Sequence, residues 1–312
     1  MVQRSLPMRL VDGRICAYDI APGSWGTLSP AAVFRPSEEV VDHAVSADLR
    51  RAVYTTVNAA VCMTDDGTEI WRSAFEPPAT ERHGHHPGCA LSLDDRLVWI
   101  YRPDSMAGRK RLDQWVVLDA ETGRTIDHAD LETVGHGAEQ LRHPAGESLL
   151  LNVGEGQDGS IIFRGTPAGD RLDLVRYPWS DRCLIDLAPD GDRFMTVDHD
   201  QGDVAFHTYP GGEVELKIPI ETFGYDPEDA FVEWSGGYLR PDTAIVTIVG
   251  ETEDEQEWWH HYPVDLRSGQ VGAEFDAHGK SPYDLEPLGD GSWLTTDASG
   301  HPTRWSDLRS AR

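Results

Sequence analysis

The sequence predicts an all-β protein built from repeated four-stranded antiparallel units, and three observations predict it. Segments of one design recur along the chain, beginning at residues 43, 88, 138, 183, 231 and 283. Within each run apolar and polar residues alternate, the period of two that marks half-buried strands. Short turns rich in Gly and Asp separate the runs, and no stretch of useful length carries a helical period.

The units follow in order. The first opens with HAVSADLRRAVYTTV (43–57) and closes with AVCMTDDGTEIWRS (60–73). The second runs from GCALSLDDRLVWIY (88–101) to WVVLDAETGRTIDH (115–128), and the third from AEQLRHPAGESLLLNV (138–153) to IIFRGTPAGDRLDLVRY (161–177). The fourth runs from CLIDLAPDGDRFMTV (183–197) to VAFHTYPGGEVELKI (204–218), and the fifth from FVEWSGGYLRPDTAIVTI (231–248) to HYPVDLRSGQVGAEF (261–275). YDLEPLGDGSWLTTD (283–297) opens a sixth that ends in TRWSDLRS. The turns PDGD, DDGT, ETGR, PGGE and RSGQ supply the positive φ that tight hairpins need. A repeat of about 45–50 residues is that of a propeller blade of four strands.

With this pattern the chain resembles the WD40-like and quinoprotein-like β-propellers. The hairpins VVLDAETGRTI and CMTDDGTEIWR are similar to the blade endings of that superfamily. The resemblance spans residues 43–312 and concerns architecture, because the Gly-His and Trp-Asp dipeptides of strict WD40 blades are not in register and nothing marks a quinone site. Residues 1–42 contain LPMRLVDGRICAYDI, a hairpin candidate around Asp12-Gly13. The sixth unit lacks an outermost strand, and an N-terminal strand is expected to complete it, closing the ring without free edges. The expectation is one β-propeller domain over residues 1–312 with seven blades, six being the alternative.

Composition narrows the function. The formal net charge is −27, and Lys110, Lys217 and Lys280 are the only lysines. Such a surface repels phosphate backbones, so no nucleic-acid partner is expected, while a cationic peptide, protein or small molecule is favoured. No run approaches the roughly 18 apolar residues of a membrane span. The opening MVQRSLPMRLVDGR has no apolar signal core, so a cytoplasmic address and no membrane partner are expected, with the protein acting as a monomer. Cys16, Cys62, Cys89 and Cys183 are far apart and read as reduced thiols.

In a propeller, the loops between second and third strands and the connections between blades share one face, and binding residues tend to sit on such loops. Histidines 83, 85, 86, 136, 199, 260, 261, 278 and 301 map to that face, and ERHGHHPGCALS (81–92) is the densest stretch. His85, His86 and His136 each precede a first strand, where neighbouring blades converge on a central funnel. They are the candidate ligands for Zn or Mn, with Glu139 as a carboxylate partner. His86 and His136 are alternatively the candidate acid–base pair of a metal-free site, since an ordinary histidine titrates near neutrality. Asp181, Arg182, Glu233, Trp234 and Tyr283 occupy equivalent entrances, and Trp258, Trp259 and His260 belong to the acidic loop GETEDEQEWWHH. These eight complete, with His85, the candidate ligand-binding set. Arg109, Lys110 and Arg111 form the one basic cluster and read as an exposed loop tip.

Two function classes follow. One is a binding platform for a peptide, partner protein or small molecule. The other is a metal- or histidine-dependent lyase, epimerase or hydrolase using the same funnel, which the resemblance to metal-dependent propellers implies. Fold alone does not choose between them.

Overall fold

Alternating strands with one turn after another have a simple consequence: each hairpin pairs with the next, and the chain lays down sheet after sheet. A computed structural model describes residues 6–21, 23–81, 83–146, 148–252 and 254–306. They form two compact units, residues 6–21 with 29–180 and residues 23–28 with 181–306. Across the two units run seven antiparallel sheets, numbered here in chain order, and the only helical elements among the described residues are the 3-10 turns Gly156–Asp158 and Ile220–Phe223. The fold is all-β with seven blades.

The first unit holds four sheets. Sheet 1 comprises Met8–Val11, Arg14–Ala17 and Ala32–Phe34, three strands where four were expected. Its hairpin turns at Asp12 (φ 50°) and Gly13 (φ 73°), the paired positive values of a tight two-residue turn. Sheet 2 comprises Asp42–Val45, Arg51–Thr56, Ala59–Thr64 and Glu69–Ala74. Sheet 3 comprises Gly88–Leu91, Leu97–Arg102, Asp113–Asp119 and Thr125–Leu131, and sheet 4 Ala138–Arg142, Leu149–Gly154, Ser160–Ala168 and Arg171–Arg176.

The second unit holds three sheets. Sheet 5 comprises Arg182–Leu187, Arg193–Asp198, Asp203–Thr208 and Val214–Pro219. Sheet 6 comprises Ala230–Arg240, Thr243–Glu251, Glu257–Asp265 and Gln270–Val271. Sheet 7 comprises Glu286–Pro287, Ser292–Thr296 and Pro302–Ser306, and its fourth strand is Gly26–Thr27 from the N-terminal segment, with Thr303 opposite Thr27.

The core lies between consecutive sheets, where their apolar faces meet. Cys62, Trp71, Cys89, Leu91 and Ile100 join sheets 2 and 3, and Val204, Phe206, Val232, Tyr238 and Ile248 join sheets 5 and 6. Trp99 and Trp115 of sheet 3 are fully buried, their rings 4.8 Å apart, and pack on Leu149, Leu151 and Phe163 of sheet 4. Gly165 makes room for them: a Cβ there would lie 2.6 Å from Trp115 Cζ3 and 2.7 Å from Trp99 Cζ3. Gly165→Ala is therefore expected to cost roughly 1–3 kcal/mol by overpacking. Gly154→Ala, with nothing within 4 Å of its Cβ, serves as the control in the same urea denaturation series. Equal midpoints for the two variants would refute the packing account.

First strands of neighbouring sheets lie side by side within each unit, and buried carboxylates stitch them. Asp42 of sheet 2 accepts the Cys89 amide of sheet 3 at 2.7 Å, and Asp186 of sheet 5 accepts the Tyr238 amide of sheet 6 at 2.6 Å. Burial raises the pKa of both carboxyls above the ordinary aspartate value, that of Asp186 to about 7.

Candidate functional site

In the first unit the turn before sheet 3 meets the turn before sheet 4. Pro87 ends the former, and Gly84 (φ 78°) lets its backbone pass beneath the His136 ring, whose Nδ1 lies 2.5 Å from the Gly84 carbonyl oxygen. The His86 amide donates to the His136 carbonyl at 2.6 Å, so the two turns are joined through their backbones. Both side chains are exposed. His85 behaves differently. It is only 2% exposed, and neither ring nitrogen has a hydrogen-bond partner within normal geometry. Burial holds its pKa below the usual histidine value. An open three-imidazole site is thus not what the stretch builds, because the side chain of His85 packs inward while those of His86 and His136 face solvent. Among the described residues no group of three or more His, Cys, Asp or Glu side chains is placed to hold a metal ion.

The basic cluster differs from its expectation too. Arg109 is no loop-tip residue but a buried brace. Its guanidinium donates to the Pro77 carbonyl (2.9 Å), the Val57 carbonyl (2.7 Å), Asn58 Oδ1 (3.2 Å) and Asp104 Oδ1 (3.0 Å). The physical reason is the buried Asp104, which needs a cation, and the carbonyls at the end of sheet 2, which need donors. Lys110 (φ 58°) and Arg111 keep exposed positions at the turn.

In the second unit three successive strand entrances come together. Asp181 is exposed and its carbonyl accepts the His199 amide at 2.8 Å. Glu233, buried in the first strand of sheet 6, accepts the Trp234 amide and the Tyr283 hydroxyl on the same oxygen, each at 2.7 Å. Trp234 Nε1 reaches back to the Asp198 carbonyl at 3.2 Å, and its ring lies 5.7 Å from that of His199. Ser235 Oγ donates to the Pro282 carbonyl at 2.8 Å. Both aromatic rings are thereby fixed by their polar atoms while much of each stays in solvent, 39% for Trp234 and 59% for Tyr283. Burial first, and then the hydrogen bond to Glu233 and its charge, push the Tyr283 hydroxyl well above the usual tyrosine range. Burial and the neighbouring Asp203 charge raise the pKa of Asp198, so the edge of this site is acid-rich as well as aromatic.

Four remaining candidates fall elsewhere. Arg182 is spent inside sheet 5, donating to Thr196 Oγ1 (3.0 Å), the Thr196 carbonyl (3.2 Å) and Asp203 Oδ1 (2.6 Å). Asp203 also pairs with Lys217 at 2.7 Å, so the last acid of DHDQGD (198–203) serves an internal ion pair. Trp258, Trp259 and His260 lie within the strand Glu257–Asp265 instead of a loop, since pairing runs on to Glu251 opposite Glu257. Trp258 crosses Gly250, where a Cβ would approach its Cζ2 to 2.3 Å, and stacks on Tyr225 at 5.3 Å. His260 Nδ1 pairs with Glu274 at 2.6 Å. Trp259, on the opposite face, lines up with Val249 and the exposed Phe231.

Structures already solved show the same architecture. The chain aligns with the Dos1 propeller over 98% of its own length and 93% of the other (TM-score 0.55, 11% identity). It aligns with BamB from Moraxella catarrhalis over 98% and 82% (TM-score 0.53, 16% identity). The fold is a β-propeller. Hydrazine synthase of Kuenenia stuttgartiensis is a further neighbour of this propeller (TM-score 0.54, 13% identity, 82% of this chain and 72% of that one). No protein-family model and no curated protein matches the sequence. The likeness at these identities is one of fold and carries no residue roles.

Proposed function

We propose that this propeller is a binding platform and that its second unit recognises a cationic group, the lysine or arginine side chain of a peptide or protein partner. The observation that carries the reading is two exposed rings held by their polar atoms, Tyr283 through its hydroxyl on Glu233 and Trp234 through Nε1 on the Asp198 carbonyl, with the Trp234 amide on the same Glu233 oxygen. Fixed aromatic faces attract a cation by about 0.5–2 kcal/mol, and pinning them beforehand spares the entropy of ordering them on binding. Asp181 and Asp198 add negative potential beside them, and the net charge of −27 steers basic partners inward. His86 and His136 carry the alternative, a histidine-dependent enzyme, less far, since what joins them is a backbone bond and His136 Nδ1 is taken up by the Gly84 carbonyl.

Oligo-lysine and oligo-arginine peptides test this at about 0.15 M salt, where long-range attraction is damped. Trp234→Ala keeps the net charge, so a general polycation effect survives it whereas recognition does not. Binding is expected to weaken roughly tenfold in Trp234→Ala, the value of one good cation–π contact. Isothermal titration that returns the same affinity for wild type and variant would overturn the reading.

A further inference from the structure

Around one buried carboxylate of the first unit the chain gathers more positive charge than that carboxylate can neutralise. Asp104, fully buried, accepts Arg109 Nη1 on Oδ1 at 3.0 Å and Arg102 Nη2 on Oδ2 at 2.9 Å. Arg111 Nε approaches the same Oδ2 at 3.6 Å and its Nη2 bonds the Glu76 carbonyl. Arg109 alone balances the charge of Asp104, and each of its three nitrogens is engaged. Arg102 and Arg111 are then surplus: two guanidiniums converging on one oxygen, in a chain whose acids outnumber its Lys and Arg by 54 to 27. The Phe75 ring lies 4.9 Å below the Arg102 guanidinium and walls it from one side. Arg102 Nε is buried and has no hydrogen-bond partner, a costly state for a charged donor.

We infer that Arg102 and Arg111 form a site for a small oxyanion, a carboxylate or phosphate group, with Asp104 and Arg109 holding the two guanidiniums in place. Planar forks with fixed donors are what carboxylate and phosphate oxygens match. The two side chains differ in access, 12% exposed for Arg102 and 37% for Arg111, so an anion would enter past Arg111 and settle on Arg102. The repulsion among the three guanidiniums is visible in Arg102, whose pKa is lowered first by burial and then by the Arg109 and Arg111 charges against the opposing pull of Asp104. A bound anion relieves that repulsion.

Thermal unfolding of the full chain with sodium phosphate, or with sodium acetate, at ionic strength matched by chloride tests the proposal. Stabilisation by either probe, lost in both Arg102→Gln and Arg111→Gln, is the expected result, with the apparent affinity falling roughly tenfold or more. Which probe acts tells a phosphate from a carboxylate ligand. Arg111 is partly exposed, so Arg111→Gln keeps the test intact should Arg102→Gln fold poorly. No stabilisation beyond the chloride control, or stabilisation retained in Arg111→Gln, overturns it.

Discussion

Replacing Arg109 by methionine is expected to lower the unfolding free energy by about 3–5 kcal/mol, the cost of breaking a buried ion pair from one side. The side chains of Arg109 and Asp104 are both 0% exposed. Methionine fills a similar volume but donates nothing, leaving the Val57 and Pro77 carbonyls, Asn58 Oδ1 and one lone-pair direction of Asp104 without their donor. The bonds to Val57, Asn58 and Pro77 tie the loop between the second and third strands of sheet 3 to the end of sheet 2, so the loss falls largely on the docking of one blade upon the next. Arg96→Met is the matched control. Arg96 is 81% exposed and reaches Asp94 at 3.7 Å, a surface pair of the kind worth little. Urea denaturation compares the two, and a loss for Arg109→Met no larger than for Arg96→Met would show that the brace is dispensable.

Asp186→Asn is expected to change the pH dependence of stability more than its value at any one pH. In the folded protein the Asp186 carboxyl binds its proton up to about pH 7, chiefly because it is desolvated and secondarily because Glu286 repels its charge. In the unfolded chain it titrates near 4. Between these values the native state holds the extra proton, so this group's contribution is fully present below about pH 4 and is lost as pH rises through 7. Asparagine cannot ionise, and its advantage over wild type should grow by roughly 2–4 kcal/mol from pH 4 to pH 7.5. A constant offset of about 1 kcal/mol accompanies it, since the amide accepts only one of the Leu187 and Tyr238 N–H bonds. The buried histidines 43, 207 and 261 carry the opposite sign. Their pKa values are depressed to about 4, so their contribution is present above about pH 6.5 and lost on acidification. Measuring the variant against wild type cancels them. Parallel stability–pH curves would mean that Asp186 is already ionised in the fold.

The strands were legible because their signal is local. Alternation and turn residues place the first strands at 88 and 138 to the residue and at 42, 182 and 230 within one position, against expected starts of 88, 138, 43, 183 and 231, while the sixth, expected at 283, begins at 286. Asp12-Gly13 marks its own hairpin by the backbone it requires. Even the pairing of Gly26–Thr27 with Pro302–Ser306 could be anticipated, because an unpaired edge in the last unit demands a partner. Periodicity read the run around 257–261 less well: two tryptophans followed by two histidines carry no alternation, although successive residues of that strand do take opposite faces.

What the sequence determined by itself, then, is the blade: its length and its turns, set by interactions between neighbours in the chain, while the count of seven over six came from the structure. What only the tertiary structure decided is which polar side chains are spent inside and which are left to bind. Arg182 and Arg109 read as surface cations, yet each satisfies buried acceptors that come from distant positions, Asp203 in one case and Val57, Asn58 and Pro77 in the other. Glu233 and Tyr283, some fifty residues apart, share a hydrogen bond that fixes one exposed ring, and Trp234 Nε1 reaches the Asp198 carbonyl to fix the other. The reason is physical: a charge or donor taken out of water must find its partner in three dimensions, and the identity of that partner is written in packing between blades, where no local pattern records it.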